Sequence, residues 1–259
     1  MIGRLFPIIQ YIHYFLVKED KHSLHSPFVF QLYQNLMAYA RENKHAFPEI
    51  EDDRKAFLQN NTQVEVRDLG AGSHRFSSPV RSISDIARYS SSPKKFALLY
   101  QYFCSLTPAK TVIELGTGLG ITARYLSEVT KGTLYSLEGA EALVDLAKKH
   151  LTEKSNQLIY GDISLTLPAL LNNEPLVDFA FLDANHSYLH TLSYFNQLTA
   201  HIHEESILII GDIHWSVEML KAWKEIIQST QVRLSIDFYE CGVLLFKKKL
   251  EKCHYVLHY

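Results

Sequence analysis

The chain has 259 residues, of which 26 are basic and 28 acidic, and its formal net charge is −2. This length favours one large domain with an added segment over two full domains, and the charge balance gives no electrostatic reason to expect nucleic acid. The three cysteines are an odd count without pairwise metal-ligand spacing, which indicates reduced thiols in a cytoplasmic protein rather than a disulfide framework.

The first predicted element is an amphipathic helix from Leu5 to Val17, apolar but interrupted by Pro7, Gln10 and His13. It is too short to span a bilayer, and no small-residue cleavage site follows it. Its large apolar side chains predict burial against the core or against a second subunit, so a homodimer through this helix is possible. Association with a membrane surface is a weaker alternative.

A second helix is expected from Phe28 to Ala40, and a helix with a surface loop from Arg41 to Asn61. Between the first two helices, His22 and His25 could approach an active site, although capping or surface roles are favoured for both.

A glycine-rich stretch from Val64 to Ser73 looks like a ligand-binding turn, but no second strand ending in an acid follows it. Its serine and glycine density indicates an irregular segment. We interpret Asp68 to Ser92 as a lid that leads into a helix from Ala97 to Leu106, and its role stays open. Four arginines in or beside this lid could contact an anionic acceptor, although ordinary solvated arginines are favoured: Arg67, Arg75, Arg81 and Arg88.

The most informative stretch runs from Thr111 to Thr122, where an apolar run gives way to Gly116, Gly118 and Gly120 and then to a helical pattern. Alternate glycines let the backbone pass close under a ligand, and the following helix N-terminus offers free N–H groups. The dinucleotide fingerprint needs a further glycine where this chain has Ile121. Glu114 would repel a pyrophosphate, but it could face a cationic amino-acid group.

Three further strands are predicted, and each ends in an acid. The strand from Gly132 ends in Glu138, about 20 residues after the glycines, where a carboxylate can bind ribose hydroxyls. The next two end in Asp162 and Asp183. Because ligands bind at the carboxyl ends of the strands of an open α/β sheet, these polar residues are expected to share one site.

This order of motifs resembles the class I S-adenosylmethionine-dependent methyltransferases over about Phe96 to Lys249. The resemblance implies that Asp162 and Ile163 define the adenine site and that Gly116, Thr117, Gly118 and Gly120 let the methionine end approach. Cofactor-binding residues are thus expected to be Glu114, these four turn residues, Glu138, Asp162, Ile163 and Asp183.

The expected chemistry lies after the fourth and fifth strands, where Asp183 with His186 and Asp212 with His214 are expected to converge. These positions resemble those of the metal-dependent small-molecule O-methyltransferases, in which two acids and an asparagine hold a divalent ion. Here Ile213 replaces the asparagine, so the metal is uncertain; if an ion is present, Asp183 and Asp212 would bind it. Metal-free catalysis with a histidine as base is slightly favoured, since imidazole titrates near neutral pH.

Two strand-like runs, from Gln231 to Tyr239 and from Gly242 to Lys248, predict an antiparallel C-terminal hairpin. The expected fold is therefore α/β: a Rossmann-like, seven-stranded, mostly parallel sheet with that hairpin and an N-terminal helical extension. The proposed division is an extension and lid in residues 1–95 and a methyltransferase core in residues 96–259.

The expected function is methyl transfer from S-adenosylmethionine to an oxygen or nitrogen of a small molecule. A catalytically silent cofactor-binding protein is an alternative from another class. An NAD-dependent oxidoreductase is less favoured, because of Ile121 and because no Tyr-x-x-x-Lys pair follows the later strands.

Overall fold

The computed structural model describes residues 2–19, 23–66, 78–153, 155–174 and 176–259. Ten helices are seen in these ranges: α1 (Ile2–Val17), α2 (Pro27–Glu42), α3 (Pro48–Gln59), α4 (Ile83–Tyr89), α5 (Lys94–Ser105), α6 (Ile121–Ser127), α7 (Glu141–Ala147), α8 (Ile163–Leu171), α9 (Tyr188–Thr199) and α10 (Val217–Ile226). None of them is long and apolar enough to cross a membrane.

Ten strands accompany these helices: β1 (Gln63–Glu65), β2 (Val80–Ser82), β3 (Thr111–Leu115), β4 (Thr133–Glu138), β5 (Asn156–Tyr160), β6 (Val177–Leu182), β7 (Ile202–Gly211), β8 (Leu234–Asp237), β9 (Cys241–Leu245) and β10 (Cys253–Val256). The short antiparallel pair of β1 and β2 stands apart from the main sheet.

The main sheet has eight strands in the order β10-β8-β9-β7-β6-β3-β4-β5. Strands β5, β4, β3, β6 and β7 are mutually parallel, and β9 runs antiparallel between β7 and β8. The expected mostly parallel sheet with an antiparallel C-terminal hairpin is confirmed. One strand, β10, was not predicted from the sequence; it pairs parallel to β8 at the edge of the sheet.

Both faces of the sheet are covered, because its central strands are apolar at successive positions. Val112 of β3 and Phe179 of β6 point to the face covered by α2 and α5. Their neighbours Ile113 and Ala180 point to the opposite face, covered by α8, α9 and α10. A third apolar cluster joins α3 and α4 to α5, α6 and α7, so the helical extension packs onto the helices of the sheet.

Several helices begin at a residue whose side chain accepts a backbone N–H, which satisfies one of the free donors of the first turn. Ser187 caps α9 and Ser216 caps α10, with oxygens 3.4 and 3.1 Å from the nitrogens of His190 and Met219. These caps fix where the helices start after β6 and β7, and hence the length of the loops at the carboxyl edge of the sheet.

Candidate active site

The turn between β3 and α6 depends on its glycines. Gly116 has a φ of +94°, and a Cβ placed there would lie 2.4 Å from the carbonyl oxygen of Asp183. Gly120 has a φ of +79° and caps α6. These conformations are open to glycine and costly for other residues. The turn therefore lies directly against the end of β6, as close as its backbone permits.

Glu138, at the end of β4, holds this turn in place. One carboxylate oxygen accepts the Gly118 N–H at 2.9 Å, and the other accepts the Ala140 N–H, also at 2.9 Å. Each carboxylate oxygen can accept more than one hydrogen bond. The side chain is thus fixed by the protein itself at the place expected for a ribose-binding acid.

Glu114 is fully buried on β3 beneath the same turn. It accepts a hydrogen bond from the Ser136 hydroxyl, which also lies 2.6 Å from the Thr117 hydroxyl, while its second carboxyl oxygen is buried with no hydrogen-bond partner. Burial raises the pKa of Glu114 from 4.5 to about 8, although the Ser136 hydrogen bond acts in the opposite direction. A cationic group placed at the unpartnered oxygen would stabilise the ionised form.

Asp162 and Ile163 lie at the end of β5 and the start of α8. One Asp162 oxygen accepts the Ser164 N–H at 2.8 Å, so the residue caps the helix. The Ile163 side chain is buried in the core, which leaves backbone groups of the first turn as the contacts that this position can offer a ligand. The carboxyl ends of β3, β4 and β5 therefore bring the expected cofactor residues to one edge.

Asp183, His186 and Asp212 meet at the neighbouring ends of β6 and β7. The His186 Nε2 atom lies 3.9 Å from Asp183 Oδ1 and 3.7 Å from Asp212 Oδ2. Gly211 makes room for this arrangement, because a Cβ there would lie 2.4 Å from Asp183 Oδ1. The imidazole thus stands between the two carboxylates rather than pairing with Asp183 alone.

The backbone at this cluster is strained. Asn185, His186 and Asp212 have φ values of +62°, +28° and +54°, and such conformations in residues other than glycine concentrate at functional sites. Burial raises the pKa of Asp183 from 3.8 to about 7; the nearby His186 opposes this effect and Asp212 adds to it. A carboxyl group in this state can exchange a proton near neutral pH.

His214 lies elsewhere. Its Nε2 atom is 2.7 Å from Asp237 Oδ2, and its ring stacks on Tyr239 with centroids 5.1 Å apart. The expected pairing of His214 with Asp212 is therefore not formed, because the side chain is buried against β8 and the turn that follows it. Asp237 was not predicted as a site residue, although it too lies at the end of a strand, β8, whose carboxyl end is at the same edge of the sheet.

The lid arginines are only partly visible. Arg67 and Arg75 lie outside the described residues, as does His22 and the part of the lid from 68 to 77. Arg81 is buried on β2, the Arg88 guanidinium lies 6.0 Å from the Tyr89 ring centre, and His25 is exposed.

The donors at the β6 and β7 ends fit a divalent ion. One ligand atom from each of Asp183, His186 and Asp212 lies within 4.8 Å of the others. The buried Ile213 offers no ligand where the metal-dependent family has asparagine, and His186 supplies a third donor instead.

Known proteins resemble this chain in sequence over part of its length and in their fold. Residues 113–213, from β3 to just beyond β7, match a family described as a methyltransferase domain. The chain therefore contains a methyltransferase domain over these residues.

A protein-L-isoaspartate O-methyltransferase of Pyrococcus horikoshii is 36% identical over 81 residues, which are 30% of this chain and 36% of that protein. The match thus spans about a third of the curated relative's length.

Solved structures show the same fold at low identity. A methyltransferase of Podospora anserina bound to S-adenosylhomocysteine has a TM-score of 0.59 at 16% identity, covering 87% of this chain and all of the other. An O-methyltransferase of Bacillus cereus in complex with S-adenosylhomocysteine has a TM-score of 0.51 at 14% identity, covering 61% of this chain and 83% of the other.

Proposed function

We propose that this protein transfers the methyl group of S-adenosylmethionine to a hydroxyl, or less favourably a nitrogen, of a small molecule. The observation that carries the proposal is a single sheet edge. At this edge, the glycine turn that is hydrogen-bonded to Glu138 lies next to the cluster of Asp183, His186 and Asp212.

The cofactor would lie across the ends of β3, β4 and β5. Glu114 would face the ammonium of the methionine part, and the turn from Gly116 to Gly120 would pass beneath it. Glu138 would accept the ribose hydroxyls, and Asp162 with the Ile163 backbone would border the adenine. Both structural neighbours described above contain S-adenosylhomocysteine, which supports this assignment.

Methyl transfer needs alignment more than activation, because the sulfonium already makes the methyl group electrophilic. The acceptor oxygen forms a bond to the methyl carbon, the C–S bond breaks with its electron pair to sulfur, and the acceptor must lose a proton. Asp183, His186 and Asp212 are the groups beside Gly116 that could take this proton. A divalent ion bound among them would lower the pKa of a coordinated acceptor hydroxyl.

Calorimetry with S-adenosylhomocysteine and with NAD tests the cofactor. We expect S-adenosylhomocysteine to bind and NAD not to bind, and Glu138→Ala to weaken binding by about 1–3 kcal/mol because charge-assisted partners are lost. Glu141→Ala is the control, since Glu141 is an exposed acid three residues away. Binding of NAD alone, or unchanged affinity in Glu138→Ala, would contradict the assignment.

A screen of phenols, catechols, sugars and amines with radiolabelled S-adenosylmethionine tests the reaction. Label in an O-methylated product is expected. Cofactor binding with no transfer to any class would favour the catalytically silent alternative.

We further propose that the protein forms a homodimer through α1. The side of α1 that faces the rest of the chain is anchored by Tyr14, whose hydroxyl donates a hydrogen bond to the Leu257 carbonyl oxygen at 2.7 Å. Its outer side is apolar and about half exposed, and includes Leu5, Ile8, Ile12 and Phe15. These four follow the 3-4 spacing of a helix–helix seam.

The exposed area is sufficient for such a dimer. Eight α1 side chains are 44–76% exposed, which corresponds to roughly 700–800 Å² per copy, close to the ~800 Å² per partner of a standard interface. Ile12→Asp should convert a dimer to a monomer in light scattering, whereas His13→Asp, at an exposed neighbouring position, should change the mass less. A wild-type monomer at all concentrations would exclude the dimer.

The three cysteines, Cys104, Cys241 and Cys253, are all free thiols. A reducing compartment such as the cytoplasm fits this state.

A further inference from the structure

We propose that a second ligand site lies at the opposite edge of the sheet from the candidate active site, and that it takes a small organic molecule with one carboxylate. The site is a cleft of about 510 Å³ between the ends of α9 and β9 and the starts of β7 and β8. Six of its lining residues provide the recognition: Ile202, His203, Glu204, Arg233, Phe246 and Lys248. This site does not rest on the proposed function.

The cleft is far from the glycine turn, because β7 crosses the sheet from one edge to the other. Its first residues, Ile202 and His203, line the cleft, whereas Asp212 follows its last residue at the carboxyl edge. Its ten residues rise about 3.3 Å each, so the two edges are roughly 30 Å apart. Strand β9 runs antiparallel to β7 and β8, which brings Phe246 and Lys248 beside the starts of those strands. A small molecule bound here cannot reach the cofactor residues.

Arg233 supplies the charge that would hold a carboxylate. Its backbone is fixed, because its N–H donates to the Leu245 carbonyl oxygen at 3.0 Å and its carbonyl oxygen accepts the Cys253 N–H at 2.9 Å. Its Nε atom donates to the Leu250 carbonyl oxygen at 3.0 Å, while no described residue accepts a hydrogen bond from either terminal guanidinium nitrogen. A guanidinium presents its nitrogens as a planar fork that matches the two oxygens of a carboxylate. The arginine is thus held in place with its terminal nitrogens available to a ligand.

The charges of the cleft fit a single negative charge. Lys248 lies 3.6 Å from Glu204, but their side chains are 83% and 48% exposed, so this surface ion pair is weak and the lysine can turn toward a ligand. Two basic side chains, Arg233 and Lys248, and one acidic side chain give a formal charge of +1. A monocarboxylate balances this charge. A phosphate monoester carries about 1.5–2 negative charges near pH 7, and Glu204 would repel the excess.

The rest of the wall is rigid and partly apolar. The His203 Nδ1 atom accepts the Glu205 N–H at 3.2 Å, so its Nε2 atom carries the proton and donates to Asp178 Oδ1 at 2.8 Å. Both ring nitrogens are therefore used, and the ring adds no charge to the cleft. Phe246 is buried and Ile202 is half-buried, and both line the cleft with carbon atoms. An apolar wall beside a few polar groups is typical of small-molecule sites and suits the organic part of a carboxylate ligand.

The test is fluorine nuclear magnetic resonance on the full-length protein with 4-fluorobenzoate as the probe, without cofactor or acceptor. We expect saturable binding of one probe per chain, with a dissociation constant on the order of 1 mM. The neutral 4-fluorobenzamide should bind about 10-fold more weakly or worse, and phenyl phosphate should displace the probe less well than benzoate does. Equal binding of the amide, or tighter binding of phenyl phosphate, would overturn the carboxylate assignment. Absence of saturable probe binding would overturn the site.

Two variants locate the probe in the cleft. Arg233→Gln should weaken probe binding by about 10-fold or more because the fork is lost, and Lys248→Gln by about 2- to 5-fold. Their matched controls, Arg41→Gln and Lys55→Gln at exposed basic residues of α2 and α3, should leave binding unchanged. Thermal unfolding separates loss of the ligand from misfolding, and Lys248→Gln tests the site even if Arg233→Gln does not fold. Unchanged binding in both cleft variants would overturn the proposal.

Addition of S-adenosylhomocysteine distinguishes the cleft from the candidate active site. Probe binding should not change, because the two edges are roughly 30 Å apart. Competitive displacement of the probe would place it at the carboxyl edge and overturn the proposal. Failure of the probe to bind, with normal S-adenosylhomocysteine binding, would remove this site and leave the proposed function standing. The opposite result would retain the cleft as a ligand site and remove the cofactor assignment.

Discussion

The two halves of the site differ in how far the protein satisfies its own polar groups. On the cofactor side, Glu138 accepts two backbone N–H groups and Asp162 caps a helix, so their positions are fixed before any ligand arrives. On the acceptor side, Asp183, His186 and Asp212 face one another at 3.7–3.9 Å on strained backbone.

The two halves are therefore prepared for different tasks. Fixed acceptors on the cofactor side lower the entropy cost of binding a flexible nucleoside. The acceptor-side groups contact one another but accept no hydrogen bond from the rest of the described chain, so they stay available for a proton or an ion. Glu114 is the exception on the cofactor side, since one of its oxygens is buried without a partner.

If the cofactor side and the acceptor side act separately, Asp183→Asn should reduce methyl transfer more than any other change proposed here. The amide keeps the size of the side chain but removes its charge, so methyl transfer to the acceptor found by screening should fall by about 10²–10⁴-fold. The affinity for S-adenosylhomocysteine should change far less.

Asp145→Asn, at an exposed acid on α7, is the control for this experiment. If affinity falls in step with turnover, Asp183 belongs to the cofactor half and the division is wrong.

The features of this site that depend on a short stretch of sequence could be predicted, whereas those that depend on contacts between distant residues could not. The glycine turn and Glu138 were predictable because a strand, a turn and a following acid are readable in a short window. The sequence also predicted the strand ends that carry Asp183 and Asp212.

The partner of His214 could not be read in this way. It depends on β8 entering the sheet on the far side of β9, which places Asp237 beside a histidine 23 residues away. Strand β10 was missed because it has four residues and takes its place from pairing with β8. The division at residues 95 and 96 stays a prediction.

Glu114→Gln measures how much the buried acid with an unpartnered oxygen on the cofactor side lowers the free energy of unfolding. The pKa of Glu114 is about 8 in the fold and 4.5 ordinarily, so the folded protein holds a proton that the unfolded chain has lost between these values. Stability from this group is therefore fully present below the lower pKa and falls as pH rises toward the higher one.

Glutamine cannot ionise, so the variant should lack this decline. Urea unfolding should be measured at about pH 5 and about pH 8. Relative to the wild type, the free energy of unfolding of the variant should be higher at the higher pH, by on the order of a few kcal/mol. Glu141→Gln should follow the wild type. A difference that does not change with pH would mean that Glu114 is ionised in the fold and that the cofactor half carries no such cost.

A matched pair of glycine substitutions tests how closely the two halves touch. Gly116→Ala would place a Cβ 2.4 Å from the Asp183 carbonyl oxygen at a φ of +94°, whereas Gly118→Ala at +54° meets nothing nearer than the Ser90 carbonyl oxygen at 4.0 Å. The Gly116→Ala change must push the turn away from β6. The Gly118→Ala change costs only the free energy of placing alanine in the left-handed conformation, about 1 kcal/mol.

We expect Gly116→Ala to destabilise the protein by about 2–3 kcal/mol and to reduce both cofactor affinity and turnover. Urea unfolding and calorimetry on the two variants measure this difference. Equal losses in both would show that backbone conformation alone decides the cost, and that the contact between Gly116 and Asp183 does not couple the cofactor half to the acceptor half.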